Sequence, residues 1–287
     1  MTPTFDPAAL DRFVYWMTER HSIYLRRAAG EPWPWTRDEI LAWYRFTNVY
    51  RELDRTTVWF RESYRGCYRD DPSVFLGTVI FRWFNRVETG ERLIAEPNLL
   101  LDWDAAEAEL RLRPHAPWVT GAFIVHTPKN AGIDKLTGLL GYIQPVWDAR
   151  ATWEAWFKYS QRSIQATVGK LAELDGLGGF MAYEIASDLV HTALLEKAPD
   201  IDTWANPGPG AMRGLNRLSG RALTARLPER AAVAEMRSLL AYVRERWPAD
   251  WPALHLREIE HSLCEFDKYD RARLGQGRPR GVFTPRP

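Results

Sequence analysis

The sequence predicts an all-α protein, and three observations carry that prediction. Apolar residues recur at three- and four-residue steps through most of the chain. Gly and Pro punctuate these stretches. Only one stretch, 118–135, gathers β-branched and aromatic residues beside Gly and Pro, as a short hairpin or an irregular loop would. With 287 residues, 46% of them hydrophobic, the chain can bury a sizeable core as one helical domain or two packed lobes over 1–270. An Arg-, Gly- and Pro-rich tail, 271–287, is expected to be extended unless it docks.

The first helix is expected over 6–29, where Phe13, Trp16, Met17, Ile23 and Tyr24 share a face and Gly30, Pro32 and Pro34 end it. In Thr36-Arg37-Asp38-Glu39, a capping Thr precedes Glu39 and opens a second helix with Ile40, Leu41, Tyr44 and Phe46 inside. Helix is expected to continue over 47–65 and to return over 72–86. Further helices are expected near 136–147, 151–173, 179–197, 209–218, 229–246 and 251–268.

The formal charge is +1, from 38 basic and 37 acidic residues, so a nucleic-acid site must be a local patch rather than a basic body. Of the basic residues 32 are Arg and six are Lys, a bias that suits planar phosphate recognition and that high genomic GC content would also produce. Cys67 and Cys264 make no disulfide framework and no CxxC clip, and the six His lack metal-ligand spacing, which argues against a zinc deaminase. No GxxxxGK[ST] loop is present, so the chain is not itself a P-loop kinase. The N-terminus lacks a signal-peptide pattern and no stretch reaches the ~18 apolar residues of a membrane span, so a cytoplasmic protein without a membrane partner is expected.

Asn48, Arg51, Asp54 and Arg55 fall within two helical turns, a dense charged set to bury as scaffold alone, and they make an anion pocket conceivable. Arg20 and Arg26 precede them. The competing role for these arginines is structural pairing with Glu19, Asp38, Glu52 and Asp54. In Asn206-Pro-Gly-Pro-Gly210, the amides of Gly208 and Gly210 open a helix that carries Arg213, which suits an anion as well as an ordinary tight loop. Cys264, Glu265 and Lys268 lie within little more than a turn. A buried Cys is usually inert packing, and Glu265 with Lys268 reads equally as a supporting ion pair.

Four segments carry a family resemblance: ERHSIYLRRAAGEPWPWTRDEILAWYRFTNVYRELDRTTVWF (19–60), FRWFNR (81–86), GFMAYEIASDLVHTALLEKAPDIDTWANPGPGAMRGLNRL (179–218) and IEHSLCEFDKYDR (259–271). They resemble the helical domain associated with 5-hydroxymethyl-deoxyuridine DNA kinases, together with its relatives, the α-glutamyl-putrescinyl thymine pyrophosphorylases and the amino-acid:DNA transferases of phage thymine hypermodification. The resemblance implies a transferase acting on double-stranded DNA, with a functional link to a DNA kinase. It would replace the phosphate or pyrophosphate on a thymine 5-methyl group with the amine of an amino acid or polyamine, with base flipping as a means of access. A Mg²⁺ ion at the leaving group is compatible with that chemistry, and no other cofactor is implied.

Gly176-Leu-Gly-Gly-Phe-Met-Ala further resembles the helix-hairpin-helix of base-excision DNA glycosylases, with a plain αα-corner as the alternative. That likeness implies that amides at Gly178 and Gly179 hold a DNA phosphate and that a catalytic Asp lies at Asp200 or Asp202. Phe180 stands where the bifunctional glycosylases carry a nucleophilic Lys, which speaks against lyase chemistry. Three functions follow as expectations: the transferase, with Asp54, Asp200 or Asp202 as the proton acceptor; a non-catalytic DNA-binding helical module that works with a kinase; and a base glycosylase.

Overall fold

A computed structural model describes residues 5–95, 99–112, 117–121, 134–159 and 162–284. The helices, in chain order, are α1 (Pro7–Ala28), α2 (Glu39–Trp43), α3 (Arg55–Phe60), α4 (Val74–Phe84), α5 (Val87–Leu93), α6 (Trp103–Arg111) and α7 (Lys135–Asp148). They continue as α8 (Arg150–Tyr159), α9 (Ile164–Leu171), α10 (Gly179–Leu189), α11 (Pro209–Leu218), α12 (Glu229–Arg244) and α13 (Leu256–Arg273). Among the described residues the only β contact is one bridge between Tyr44 and Val282, so the fold is all-α. Most of the hairpin expected at 118–135 lies outside the described residues. No helix among those described is long and apolar enough to cross a membrane.

The chain forms two compact units. Unit 1 contains residues 1–54 and 201–287, and unit 2 contains the intervening residues 55–200.

In unit 1, α1 starts where the Asp6 carboxylate accepts the Ala9 N–H at 2.7 Å, with Pro7 pre-set for the first turn. It buries Phe13, Trp16, Met17 and His21. α2 is shorter than the sequence predicts. Asp38 rather than Thr36 is its cap, accepting from Ile40 N and Leu41 N, and residues from Tyr44 onward run extended. The physical reason is the tail: Arg45 N donates to Gly281 O and Phe283 N donates to Trp43 O, each at 2.8 Å, and these bonds to a distant segment of the same chain replace helical ones. The tail thus docks as a strap on unit 1.

α11 and α13 form the most extensive helix pair of this unit because two glycines bring them together. A Cβ at Gly210 would sit 2.2 Å from Cys264 Sγ, and one at Gly214 would sit 2.4 Å from the Leu263 carbonyl oxygen. A backbone carbonyl cannot rotate away as a side chain can. Gly214→Ala should therefore destabilise by about 1–3 kcal/mol despite the better helix propensity of Ala. Gly169→Ala, in open space on α9, should instead stabilise by about 0.5–1 kcal/mol. Equilibrium unfolding of both variants checks the contrast, and equal stabilities would refute the packing account.

Unit 2 is organised on α4, all of whose residues are buried. Phe81 stacks on Phe60 at 4.3 Å between ring centroids, and Phe75 meets Trp153 at 4.7 Å. Arg82 is part of this core. Its guanidinium donates to both oxygens of Asp188, to Asn85 Oδ1 and to Thr57 Oγ1, while Arg65 Nη1 reaches Asp188 Oδ1 at 2.8 Å. The FRWFNR segment is thus read by the fold as a buried charge anchor, and Asn85, in the left-handed region at φ 45°, ends α4. The helix expected at 151–173 is instead two, with Ser163 Oγ accepting from Ala166 N as the cap of α9. α9 and α10 pack together across a turn at whose apex Gly176 has φ 81°. A Cβ there would sit 2.5 Å from the Tyr142 ring.

Candidate functional site

Within unit 1, the extended segment after α2 runs across the faces of α1 and α13, and polar groups from all three meet there. From α1, Arg20 Nε donates to Thr47 O at 3.0 Å and Arg20 Nη2 to Asn48 Oδ1 at 2.8 Å. Asn48 in turn closes the loop that follows: its Nδ2 donates to Leu53 O at 2.8 Å and to Asp54 Oδ1 at 2.9 Å, and its own N–H reaches the same Asp54 oxygen at 2.9 Å. Residues 48–54 are therefore a turn, with a 3-10 segment at Arg51–Leu53, and not the helix the sequence predicts. Asn48 bonds to loop backbone and side chain in a way that competes with the helical ladder.

From α13, His261, Cys264, Glu265 and Lys268 follow one another at helical steps on one face. Thr47 Oγ1 lies 2.7 Å from His261 Nε2, and Thr47 N donates to Glu265 Oε2 at 3.4 Å. Lys268 Nζ donates to Glu265 Oε1, which makes the supporting ion pair that the i,i+3 spacing allows.

Electrostatics divide the cluster into charged and neutral members. Burial pushes the Asp54 carboxyl above its ordinary range, against the opposing pull of the Asn48 N–H and of the Arg51 and Arg20 charges. Burial, aided by the nearby charges of Arg51 and Lys268, holds His261 well below 6.5, so its imidazole is neutral at physiological pH. Burial also lowers Lys268, but the charge and hydrogen bond of Glu265 outweigh it and keep the ammonium protonated. The Cys264 thiol is pushed up to about 12 by burial and by Glu265. A thiol at that value is no nucleophile at neutral pH, and its contact with Gly210 assigns it to packing.

The other sequence candidates lie elsewhere. Gly210 is buried against α13 rather than offering its amide, and the Gly208 N–H faces Glu260 Oε1 at 3.4 Å. Arg213 Nε is engaged by the buried Asp267 at 2.8 Å, which also takes Arg217. The NPGPG turn is a close-packed helix start with the Glu260 and Asp267 carboxylates beside it. Asp202 lies apart from the cluster: burial would raise its pKa, but hydrogen bonds from Arg244 and His255 lower it, and both its oxygens are engaged. Arg26 holds Glu19 and the Trp35 carbonyl, a structural role. In unit 2, Asp200 lies at the start of α9, where its carboxylate accepts from Ile164 N at 2.8 Å and Gln165 N at 2.9 Å. Arg55 opens α3 and is exposed, and Gly178 and Gly179 sit exposed at the start of α10. A cavity of about 590 Å³ beside Tyr142 and Pro145 in this unit involves none of the sequence candidates.

Sequence reasoning missed Thr47 and His261. The signal for His261 was present, since it lies three, four and seven residues before Cys264, Glu265 and Lys268 in the segment already singled out. Thr47 has no sequence signature. Among the described residues no group of three or more His, Cys, Asp or Glu is placed to hold a metal ion.

Residues 7–278 match the family model described as 5-hmdU DNA kinase, helical domain. The chain belongs to this family. A 5-hmdU DNA kinase of Bacillus phage SP10 is 30% identical to it over 227 residues, which cover 71% of this chain and 35% of that protein. The chain thus spans about a third of the length of the curated relative it matches. No solved structure matches it. The match takes in both stretches of unit 1 and all of unit 2, so the Thr47–Asp54 turn and the His261 face of α13 are both parts of the helical domain.

Proposed function

We propose that this helical domain is a DNA-modifying transferase that replaces the (pyro)phosphate of 5-(pyro)phosphomethyl-deoxyuridine in DNA with the amine of an amino acid or polyamine. The observation that carries the reading is the meeting of Arg51, Lys268 and Arg20 with a neutral imidazole and a buried carboxyl in one cluster of unit 1. In the reaction a C–N bond forms at the thymine methylene carbon as the C–O bond to the leaving group breaks. Arg51 and Lys268 offset the charge that grows on the departing phosphate. The attacking amine loses a proton, and the Asp54 carboxylate, whose affinity for a proton burial raises, is the group suited to receive it, while His261 stays neutral on Thr47 Oγ1. Asp54, held by Asn48, orients Arg51 or the incoming ammonium. Glu265 keeps Lys268 charged.

An oligonucleotide carrying 5-phosphomethyl- or 5-pyrophosphomethyl-deoxyuridine, incubated with mixed amino acids and polyamines, should yield a nucleoside whose mass shows loss of (pyro)phosphate and gain of an amine. Absence of adduct with every amine sinks the reading. A second reading is favoured by the greater length of the kinase relative: a non-catalytic DNA-binding module that works with a kinase. It predicts salt-dependent DNA binding that persists in Asp54→Asn with no adduct from any variant. Gly178 and Gly179 are exposed at the start of α10, the place at which the resemblance to a helix-hairpin-helix would put a DNA phosphate under either reading. A glycosylase is not favoured, since Asp200 and Asp202 are both committed to structural bonds.

A further inference from the structure

The strap that docks the tail on unit 1 also builds a surface. Residues 281–283 lie against 43–45 through the bridge of Val282 with Tyr44 and two backbone hydrogen bonds. Gly281 allows this approach, because its Cβ position is already 3.2 Å from Arg45 Cβ. Around the strap the aromatic residues are not enclosed. Trp43 is 48% exposed and meets Trp33 edge-on at 4.9 Å, while Trp35 meets Phe283 at 5.5 Å and carries the Arg27 guanidinium over its face at 5.7 Å. An exposed indole held edge-on by a neighbouring ring keeps an open face on which another flat group can stack.

Arginines outnumber carboxylates beside these rings. Arg37, Arg45, Arg278 and Arg280 are exposed and make no ion pair among the described residues, whereas Arg26 is taken by Glu19. Against them in the same stretches of chain stand Glu31, Glu39 and Asp38, whose carboxylate is taken up in capping α2 and accepting from the Tyr15 and Tyr269 hydroxyls. In a protein of net charge +1 this is the kind of local basic patch that DNA binding requires. Fixed aromatic faces interleaved with unpaired arginines match the alternation of base and phosphate along a single strand, whereas a duplex keeps its base faces stacked away.

We propose that the strap face of unit 1, centred on Trp43 and Trp33 and flanked by Arg45 and Arg280, binds single-stranded DNA by stacking bases on the indoles and pairing phosphates with the arginines. The proposal rests on the reading that DNA is this protein's substrate. It adds a strand-holding surface distinct from the polar cluster around Thr47 and His261. Such a surface would retain a strand opened for access to its modified base.

The test uses the full chain and unmodified 20-nucleotide DNA, with binding followed by fluorescence anisotropy across a salt series. The single strand should bind more tightly than the duplex of the same sequence. Trp43→Ala should weaken single-strand binding about tenfold with the salt slope unchanged. The double variant Arg45→Ala/Arg280→Ala should reduce the slope by about 1.4, at roughly 0.7 per phosphate released on a single strand. Because all three side chains are exposed, circular dichroism and melting should match the parent. Equal binding of duplex and single strand, or unchanged binding in both variants, overturns the proposal. So does a dimer in sedimentation that Trp43→Ala dissolves, since the face would then belong to a second copy. No turnover enters the measurement, so failure here with adduct formation intact removes only the strap surface. Intact strand binding with no adduct removes only the transferase reading.

Discussion

Asp188→Ala is expected to be the most destabilising single substitution in unit 2, at about 3–5 kcal/mol. Asp188 is 3% exposed and its carboxylate is shared by Arg65 and Arg82, whose side chains are 1% and 3% exposed. Two guanidinium groups in such surroundings depend on that carboxylate to offset the loss of hydration, and removing it leaves the desolvation cost in place without the attraction. Asp188→Asn keeps the shape and part of the hydrogen bonding and should fall between the alanine variant and the parent. Urea unfolding of the three proteins gives the order. An alanine variant within 1 kcal/mol of the parent, itself less than the ~3 kcal/mol expected for a broken buried pair, would show that the network adds nothing to stability.

If the domain is the proposed transferase, the largest effect on activity is expected at Asp54. Asp54→Asn keeps an oxygen for the Asn48 N–H and removes a charge that burial disfavours, so its fold should be as stable as the parent or more so while product formation falls at least ~100-fold. The pH dependence of stability provides a reading independent of turnover. His261 has a folded pKa well below 6.5, so under acid conditions the unfolded chain binds the extra proton first. Its contribution to stability is therefore complete above about pH 6.5 and is lost as pH falls from there towards the lower folded value. His261→Gln should flatten that acid slope, and an unchanged slope would mean that the imidazole is not held neutral by the fold.

The helical periods of α1, α11, α12 and α13 were legible because each carries its own apolar face and its own stop signals. α2 was not, since what ends it is a strap more than 230 residues later in the chain, and no local pattern announces the hydrogen bonds of Arg45 and Phe283 to it. The same distinction applies to the candidate site. Asn48, Arg51, Asp54, Glu265 and Lys268 stood out as dense polar sets on apolar elements. Asp200, Asp202 and Arg213 stood out as strongly, yet the fold gives each a bonding partner from another segment. Isolated charge patterns cannot tell a reactive group from a capping or pairing one, because the difference is made by the partner.

Gly210 shows the same principle at the backbone. Read along the chain, a glycine at a helix start offers an amide; in the fold, its missing Cβ is where Cys264 sits.

By itself the sequence determined an all-α chain and the positions of most helices, and it singled out three polar segments, 48–55, 200–213 and 264–268, of which the first and last contribute to the candidate cluster. Those properties follow from local periodicity, capping and composition, which act over a few residues. Only the tertiary structure decided that Thr47 and His261 meet, that Asp54 is buried beside Arg51 and Arg20, and that the tail returns to strap α2. Each depends on residues distant in sequence being held within a few ångströms, where burial and neighbouring charge, rather than residue type, set the protonation state.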